Sequence, residues 1–172
     1  MLQLSTRFYN TPILSLRTGT VIATALEPIL NPNNLKIEGF FCLDTFDKKA
    51  KLVLLYQDIR EFIPQGIVVN DHEVLTEQDE IIRLKEIINL HFNVLNKPVI
   101  TESKVKIGKV NDYAVEVETM FIQKIYVAQA LRKSISTSAL SIDRNQIIEI
   151  TDSKIIINDL EQTSSIKAAA IA

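Results

Sequence analysis

This chain states one pattern twice. Asn10-Thr11-Pro12-Ile13 returns as Asn96-Lys97-Pro98-Val99, and Ile67-Val68-Val69-Asn70-Asp71 returns as Ile155-Ile156-Ile157-Asn158-Asp159, offsets of 86 to 88 residues. Between these anchors Val21 falls on Ile107, Ile37-Glu38-Gly39-Phe40-Phe41 on Ile122-Gln123-Lys124-Ile125-Tyr126, and Ile59 to Phe62 on Ile147 to Ile150. Self-similarity at a fixed period dominates any other signal, because a unit that folds once folds again. The organisation expected is a first small β domain over residues 1–75, a connector over 76–95, a second β domain over 96–162 and a tail over 163–172. Units of this size make only marginal cores alone, so the two are expected to pack on each other.

Each unit reads as a series of short strands. Pro12 to Leu16 and Val21 to Leu26 are β-branched or apolar runs on either side of a turn at Arg17-Thr18-Gly19,. Asn31-Pro32-Asn33-Asn34 breaks the chain sharply, so Leu35 to Leu43 returns as a hairpin partner,. Ala50 to Tyr56, Gln57 to Ile63 as a short strand or a single helical turn, and Ile67 to Val69 complete the unit, and five or six short strands can curl shut and hide their edges,. The second unit follows the same plan, with Val115-Glu116-Val117-Glu118 alternating as a half-buried strand does and a polar loop at Ser134 to Thr137,. Between the units, Thr76 is placed as the cap of one amphipathic helix. Its apolar stripe runs through Ile81, Leu84, Ile88, His91, Phe92 and Leu95, and the Asn96-Lys97-Pro98 break ends it,.

Hydrophobic residues make up 47% of the 172, with four glycines and five prolines, which is the make-up of a packed core and not of a disordered chain,. A net charge of −2 gives no footprint for nucleic acid, which requires clustered Lys and Arg,. Cys42 is the single cysteine, so no internal disulfide forms, and its setting in Phe40-Phe41-Cys42-Leu43 marks a buried structural thiol,. The first residues lack a basic stretch followed by an apolar core, and no window holds 18 uninterrupted apolar residues,. The expectation is a cytoplasmic protein without a transmembrane segment; peripheral contact with a membrane stays open.

Lys106-Ile107-Gly108-Lys109-Val110-Asn111-Asp112, Ile122-Gln123-Lys124-Ile125-Tyr126-Val127 and Ile147-Ile148-Glu149-Ile150-Thr151-Asp152-Ser153-Lys154-Ile155-Ile156-Ile157 together resemble the PRC-barrel domain. That family takes its name from the cytoplasmic part of the photosynthetic reaction-centre H subunit and also supplies half of a ribosome maturation factor. The resemblance implies a mainly β fold of two tandem, small, highly bent barrels joined by the helix. It also implies a role as an adaptor that binds other macromolecules, and no reaction.

The residues themselves point the same way. His72 and His91 sit in no His-x-x-His or Cys-x-x-Cys spacing, so no metal site or nucleophile-base pair is expected from them,. His91 reads as a packed side chain on the stripe and His72 as a solvated turn residue. Asp71 and Asp159, and likewise Asp58 and Asp143, recur at matching positions, which separates the members of each pair; turn formation or capping explains them better than acid–base catalysis,. No glycine-rich phosphate loop is present,. Arg132-Lys133 reads as a solvated hairpin tip, and Phe40, Phe41 and Tyr126 as core side chains at strand spacing.

The sequence therefore predicts a non-catalytic protein-interaction module with no catalytic residue, no cofactor and no metal. Its candidate surface is the groove beside the 77–95 helix, carried by Ile81, Leu84, Ile88, His91, Phe92 and Leu95. The partner is expected to be a protein, with a homodimer through an uncovered strand edge or the Ala-rich tail also open, and nucleic acid disfavoured by charge. An RNA-processing or ribosome-associated factor, or a small-ligand-binding barrel, is the alternative.

Overall fold

A computed structural model describes residues 1–129 and 139–160 of the chain. The expected loop at Ser134 to Thr137, the Arg132-Lys133 pair and the 163–172 tail lie outside the described residues. The first half contributes β1 (Leu2–Leu4), β2 (Thr11–Ser15), β3 (Val21–Asn31), β4 (Lys36–Asp44), β5 (Leu52–Leu55), β6 (Ile59–Ile63) and β7 (Gly66–Val69). A connector with β8 (Thr76–Glu77) and α1 (Lys85–Leu90) follows. The second half contributes β9 (Pro98–Thr101), β10 (Lys106–Glu116), β11 (Phe121–Gln129), β12 (Ala139–Asp143), β13 (Ile147–Ile150) and β14 (Ile155–Ile157).

Strand pairing repeats in step with the sequence. β2 runs antiparallel to β3 and parallel to β7, with Ile13 opposite Ile67. β9 runs antiparallel to β10 and parallel to β14, with Val99 opposite Ile155. The β3–β4, β4–β5 and β6–β7 pairs recur as β10–β11, β11–β12 and β13–β14. The irregularities repeat as well. Ladder slips skip Ile22, Leu26, Glu38 and Arg60 in the first half, and Ile107, Asn111, Gln123 and Ile148 at the matching places in the second. A bulge inserts one residue, bends its strand and increases the local twist, so four repeated bulges impose the same strong curvature on both halves. The slip at Ile107 pairs it with Ile22, one residue from the Val21 match that the sequence alone suggests.

The expected closure does not occur. The hydrogen-bonded path is open and runs β13-β14-β9-β10-β11-β4-β3-β2-β7-β6 as one continuous sheet, with β1, β5, β8 and β12 attached to its sides. β5 pairs with β4 and β8, and among the described residues β6 has no second neighbour, so these strands do not curl shut.

The halves join about a local pseudo-two-fold axis. Asn31-Pro32-Asn33-Asn34 forms the expected turn, held by the Asn31 side chain accepting from the Asn33 N–H at 3.0 Å and the Asn34 side chain from the Lys36 N–H at 2.9 Å. Leu35 leaves that turn at φ 56°, and Met120 leaves the matching β10–β11 turn at φ 60°. The two turns then exchange bonds: the Ile37 N–H donates to the Met120 carbonyl at 2.8 Å, and the Ile122 N–H to the Leu35 carbonyl at 2.9 Å. Lys36 and Phe121 face each other between them. Around this point stands a stack of alternating aromatic and cationic groups. Lys36 Nζ lies 4.0 Å from the Tyr56 ring and 5.6 Å from the Phe121 ring, and the Arg144 guanidinium lies 4.7 Å from the Phe121 ring. Tyr56 and Arg144 hold matching places in the 3-10 turns Tyr56–Asp58 and Arg144–Gln146, so cation and ring have traded positions across the axis,.

One core serves both halves. Phe8, Ile13, Ile37, Phe40 and Ile67 from the first half, and Tyr113, Ile122, Ile125, Ile142 and Ile155 from the second, are all closed to solvent and belong to one cluster. This agrees with units too small to bury enough apolar surface separately.

The connector departs from the expected helix. Thr76 lies in β8, opposite Val53, and so caps nothing; a 3-10 turn at Gln78–Glu80 follows, and α1 spans only Lys85–Leu90. His91, at φ 44°, ends it. Packing overrides the helical periodicity: Ile81, Leu84 and Ile88 are buried against Ile29, Phe41 and Val53 on the outer face of β3, β4 and β5, and the chain follows that surface,.

Candidate interaction site

Of the six stripe residues, Ile81, Leu84 and Ile88 are used up in this internal contact and present no face to a partner. Their hydrophobic spacing reported a surface that the chain itself covers. Phe92 and Leu95 are half-buried against the main core, and the Lys97 ammonium sits 4.8 Å above the Phe92 ring. His91 alone is exposed, and its ring stacks on Phe41 at 5.0 Å with an 18° tilt. The groove expected beside the connector exists as a cleft of about 60 Å³ between Ile87, His91 and Phe92 on one side and Tyr9, Glu27 and Phe41 on the other. That volume holds a few water molecules.

The other candidates for chemistry are structural. Cys42 is buried, and burial pushes its thiol up to about 12 despite an opposing backbone contact from Leu54, so it stays protonated and inert,. His72 is no free turn residue: its Nε2 lies 2.9 Å from Oδ1 of the buried Asp44, and its ring meets Phe46 edge-on. Asp71 accepts from the Ser15 hydroxyl at 3.0 Å and from Arg17 Nη1 at 3.1 Å. The matching Asp159 accepts from the hydroxyl and the N–H of Ser103. Both acids therefore fasten the turn after the closing strand to the first hairpin of their own half. Among the described residues no three His, Cys, Asp or Glu side chains cluster as metal ligands. No helix of the described residues is long and apolar enough to cross a membrane.

These fastenings carry a pH signature. For Asp44 burial raises the carboxyl, but the His72 hydrogen bond and the Phe46 N–H outweigh it, and the net shift is below 3.8. Asp71 is held down by the His72 N–H and Ser15, and Asp159 by Ser103. Folded carboxyls below their unfolded value stabilise the fold above about pH 4 and release that stability as pH falls through the lower folded values. The melting temperature should accordingly drop between pH 5 and pH 2. A variant carrying Asp71→Asn and Asp159→Asn should start lower at pH 7 and lose fewer degrees over the same range. Equal losses in both proteins would show that these acids do not carry the effect.

A larger concavity lies where the sheet stops. β6 forms one end of the strand path and, among the described residues, pairs only with β7. Two depressions of about 430 Å³ each border it and share Phe62, Val117 and Glu118. They form one furrow. Its first wall is β6; its second is the β10–β11 turn of the other half, with Val117, Glu118 and Met120, continued by Met1 and Gln3 beside β1. β1 is set there by antiparallel pairing with β10, Leu4 opposite Ala114, and by the Ser5 hydroxyl donating to Asp112 at 2.6 Å. Arg7 steadies the far end of β6 by donating to the carbonyls of Ile63 and Gly66.

The pseudo-two-fold places a second, shallower furrow along β13, walled by the β3–β4 turn and about 200 Å³ in volume. Ile59, Glu61 and Phe62 correspond there to Ile147, Glu149 and Ile150, and Glu118 corresponds to Asn33. Sequence reasoning identified both strands and their repeat. It missed the furrows, because each is made by an edge of one half and a turn of the other, and only the exchange of turns about the axis brings them together. No protein-family model matches the chain, and no curated protein matches it in sequence.

Proposed function

We propose that this chain is a non-catalytic protein-interaction module, an adaptor built from two PRC-barrel-like units that are curved by repeated bulges and left open at their outer strands. The Lys106 to Asp112, Ile122 to Val127 and Ile147 to Ile157 segments support the family likeness, and the matching strand pairing of the two halves supports reading both as one kind of unit. A single buried, protonated thiol suits a reducing compartment such as the cytoplasm,.

The observation that carries this reading is the furrow along β6. It joins an unpaired strand edge to a floor of Phe62 and Val117 in a recess built by both halves. Exposed edges are templates for added strands, and natural proteins normally cover them. The two depressions of the furrow fall within the roughly 300–1,000 Å³ typical of small-molecule sites, but they form an open trough along a strand edge, which favours an extended protein segment over an enclosed metabolite,.

The test uses the immobilised full chain and its Val117→Arg variant, which places a charge in the furrow wall outside any regular strand. From an extract of the source cells, the wild type is expected to retain one or a few proteins that the variant retains at least tenfold less, while the variant still unfolds in one cooperative transition, at a lower midpoint because half-buried Val117 packs on the core. Identical captures, or none, would remove the furrow as the binding surface.

A further inference from the structure

The β6 furrow differs from its β13 counterpart in charge, and that difference specifies an occupant. Glu61 stands on one wall and Glu118 on the other; both are exposed, and neither forms an ion pair among the described residues. The Met1 ammonium, which lines the same furrow, pairs with Glu116 and lies within the field of Glu118, while the two nearby arginines are directed elsewhere. Arg7 donates to the Ile63 and Gly66 carbonyls, and Arg60 Nε donates to the Asn70 side chain at 2.7 Å. In the β13 furrow Asn33 replaces Glu118 and Arg144 replaces Tyr56, so a carboxylate, an amide and a guanidinium stand where the β6 furrow has two carboxylates and a phenol.

The β6 edge runs along the furrow and faces the wall made by the β10–β11 turn and β1, so an extended strand laid along β6 touches both walls. Five residues of β6 correspond to ~17 Å of extended chain,. The floor offers Phe62 and Val117 to apolar side chains on one face of such a strand.

We infer that the β6 furrow binds an extended peptide segment of a partner protein, with a lysine or arginine placed between Glu61 and Glu118 and β-branched or other aliphatic residues flanking it. This rests on the reading of the chain as an interaction module and names the chemistry of what it captures. The peptide's backbone bonds to the β6 edge supply sequence-independent affinity, and the two carboxylates select the basic residue, because a cation set between two acids is attracted by both.

A phage-displayed library of random decapeptides, panned on the immobilised full chain, tests this directly. Selected peptides should be enriched severalfold in a Lys or Arg flanked by Val, Ile or Leu. A fluorescein-labelled peptide from that pool should bind at least tenfold more weakly to Glu61→Lys and to Glu118→Lys, while Glu149→Lys, the matching change in the other furrow, leaves its affinity unchanged. Enrichment of acidic sequences, no enrichment, equal binding by all variants, or loss with Glu149→Lys each overturn the inference. So does concentration-dependent self-association that Glu61→Lys abolishes, which would make a second copy the occupant. Should the Val117→Arg variant lose a captured protein while no basic peptide is selected, the interaction module stands and this peptide chemistry falls.

Discussion

Gly108→Ala is expected to cost the fold about 3–4 kcal/mol, a fall of roughly 10 °C in melting temperature for a chain of this size. A Cβ built on Gly108 lies 2.0 Å from the Ala128 carbonyl oxygen and 2.9 Å from its carbon. The obstacle is backbone at the outer end of the β10–β11 ladder, where Gly108 pairs with Gln129 and Lys109 with Ala128, so no side-chain rotation relieves it. The strands must separate locally and forfeit those bonds. Gly19→Ala is the control: Gly19 has φ +69° and nothing within 4 Å of a new Cβ, so only the left-handed backbone penalty of roughly 1–2 kcal/mol applies,. Urea midpoints for the two variants at neutral pH decide the matter. Equal midpoints would mean that β10 and β11 are not in such close contact at this position.

The same glycine shows why some of the fold could be read in the residues and some could not. Its counterpart across the repeat is Ala23, whose neighbours leave room for a methyl group, so a glycine motif could never have revealed the duplication. The hydrophobic alternation and the Asn-x-Pro and Asn-Asp punctuation did reveal it, because buried strand faces and tight turns constrain residue type locally. Bulges obey no such residue preference. Leu26 and Asn111, and Arg60 and Ile148, occupy matching bulges with little chemistry in common, whereas Ile22 and Ile107 are the same residue, so residue type does not mark where a bulge falls. Closure was inferred from strand count, yet it depends on which edges meet in space. The spacing of Ile81, Leu84 and Ile88 marks an apolar stripe, but periodicity does not say what covers a stripe, and here β3 to β5 do.

The pseudo-two-fold arrangement also bears on how the interaction surface is built. In a two-fold dimer the same patch occurs twice, and each copy pairs with its mate. A duplicated single chain is free to let its two patches diverge. Lys36 and Tyr56 against Phe121 and Arg144 show that divergence at the axis, where the attraction between cation and ring is kept while the partners are exchanged. The furrows show it at the periphery, where two carboxylates on one side become a carboxylate, an amide and a guanidinium on the other. Packing at the axis holds the two halves in register, and the charges at the rims are left to vary.

Phe8→Ala should be the most damaging single truncation in the first half, at about 3–5 kcal/mol. Phe8 closes the 3-10 turn Ser5–Phe8 just before β2 and is wholly buried; its ring stacks with Phe40 at a centroid distance of 6.2 Å and meets Phe62 edge-on at 5.9 Å. It therefore links the shared core to the strand that walls the β6 furrow. Val94 holds the equivalent place before β9 and is equally buried, but it removes only two methyl groups when cut to alanine, so Val94→Ala should cost about 1–2 kcal/mol,. Phe8 and Phe40 share one contact, and the double alanine variant should be less destabilised than the sum of the singles by roughly 0.5–1.5 kcal/mol, the part of the loss counted twice. Chemical denaturation of the wild type, the three single variants and the double variant measures all of this. Strict additivity would mean that the two rings stabilise separate regions, and then the continuity of the core across the first half, on which the position of β6 depends, would have to be given up.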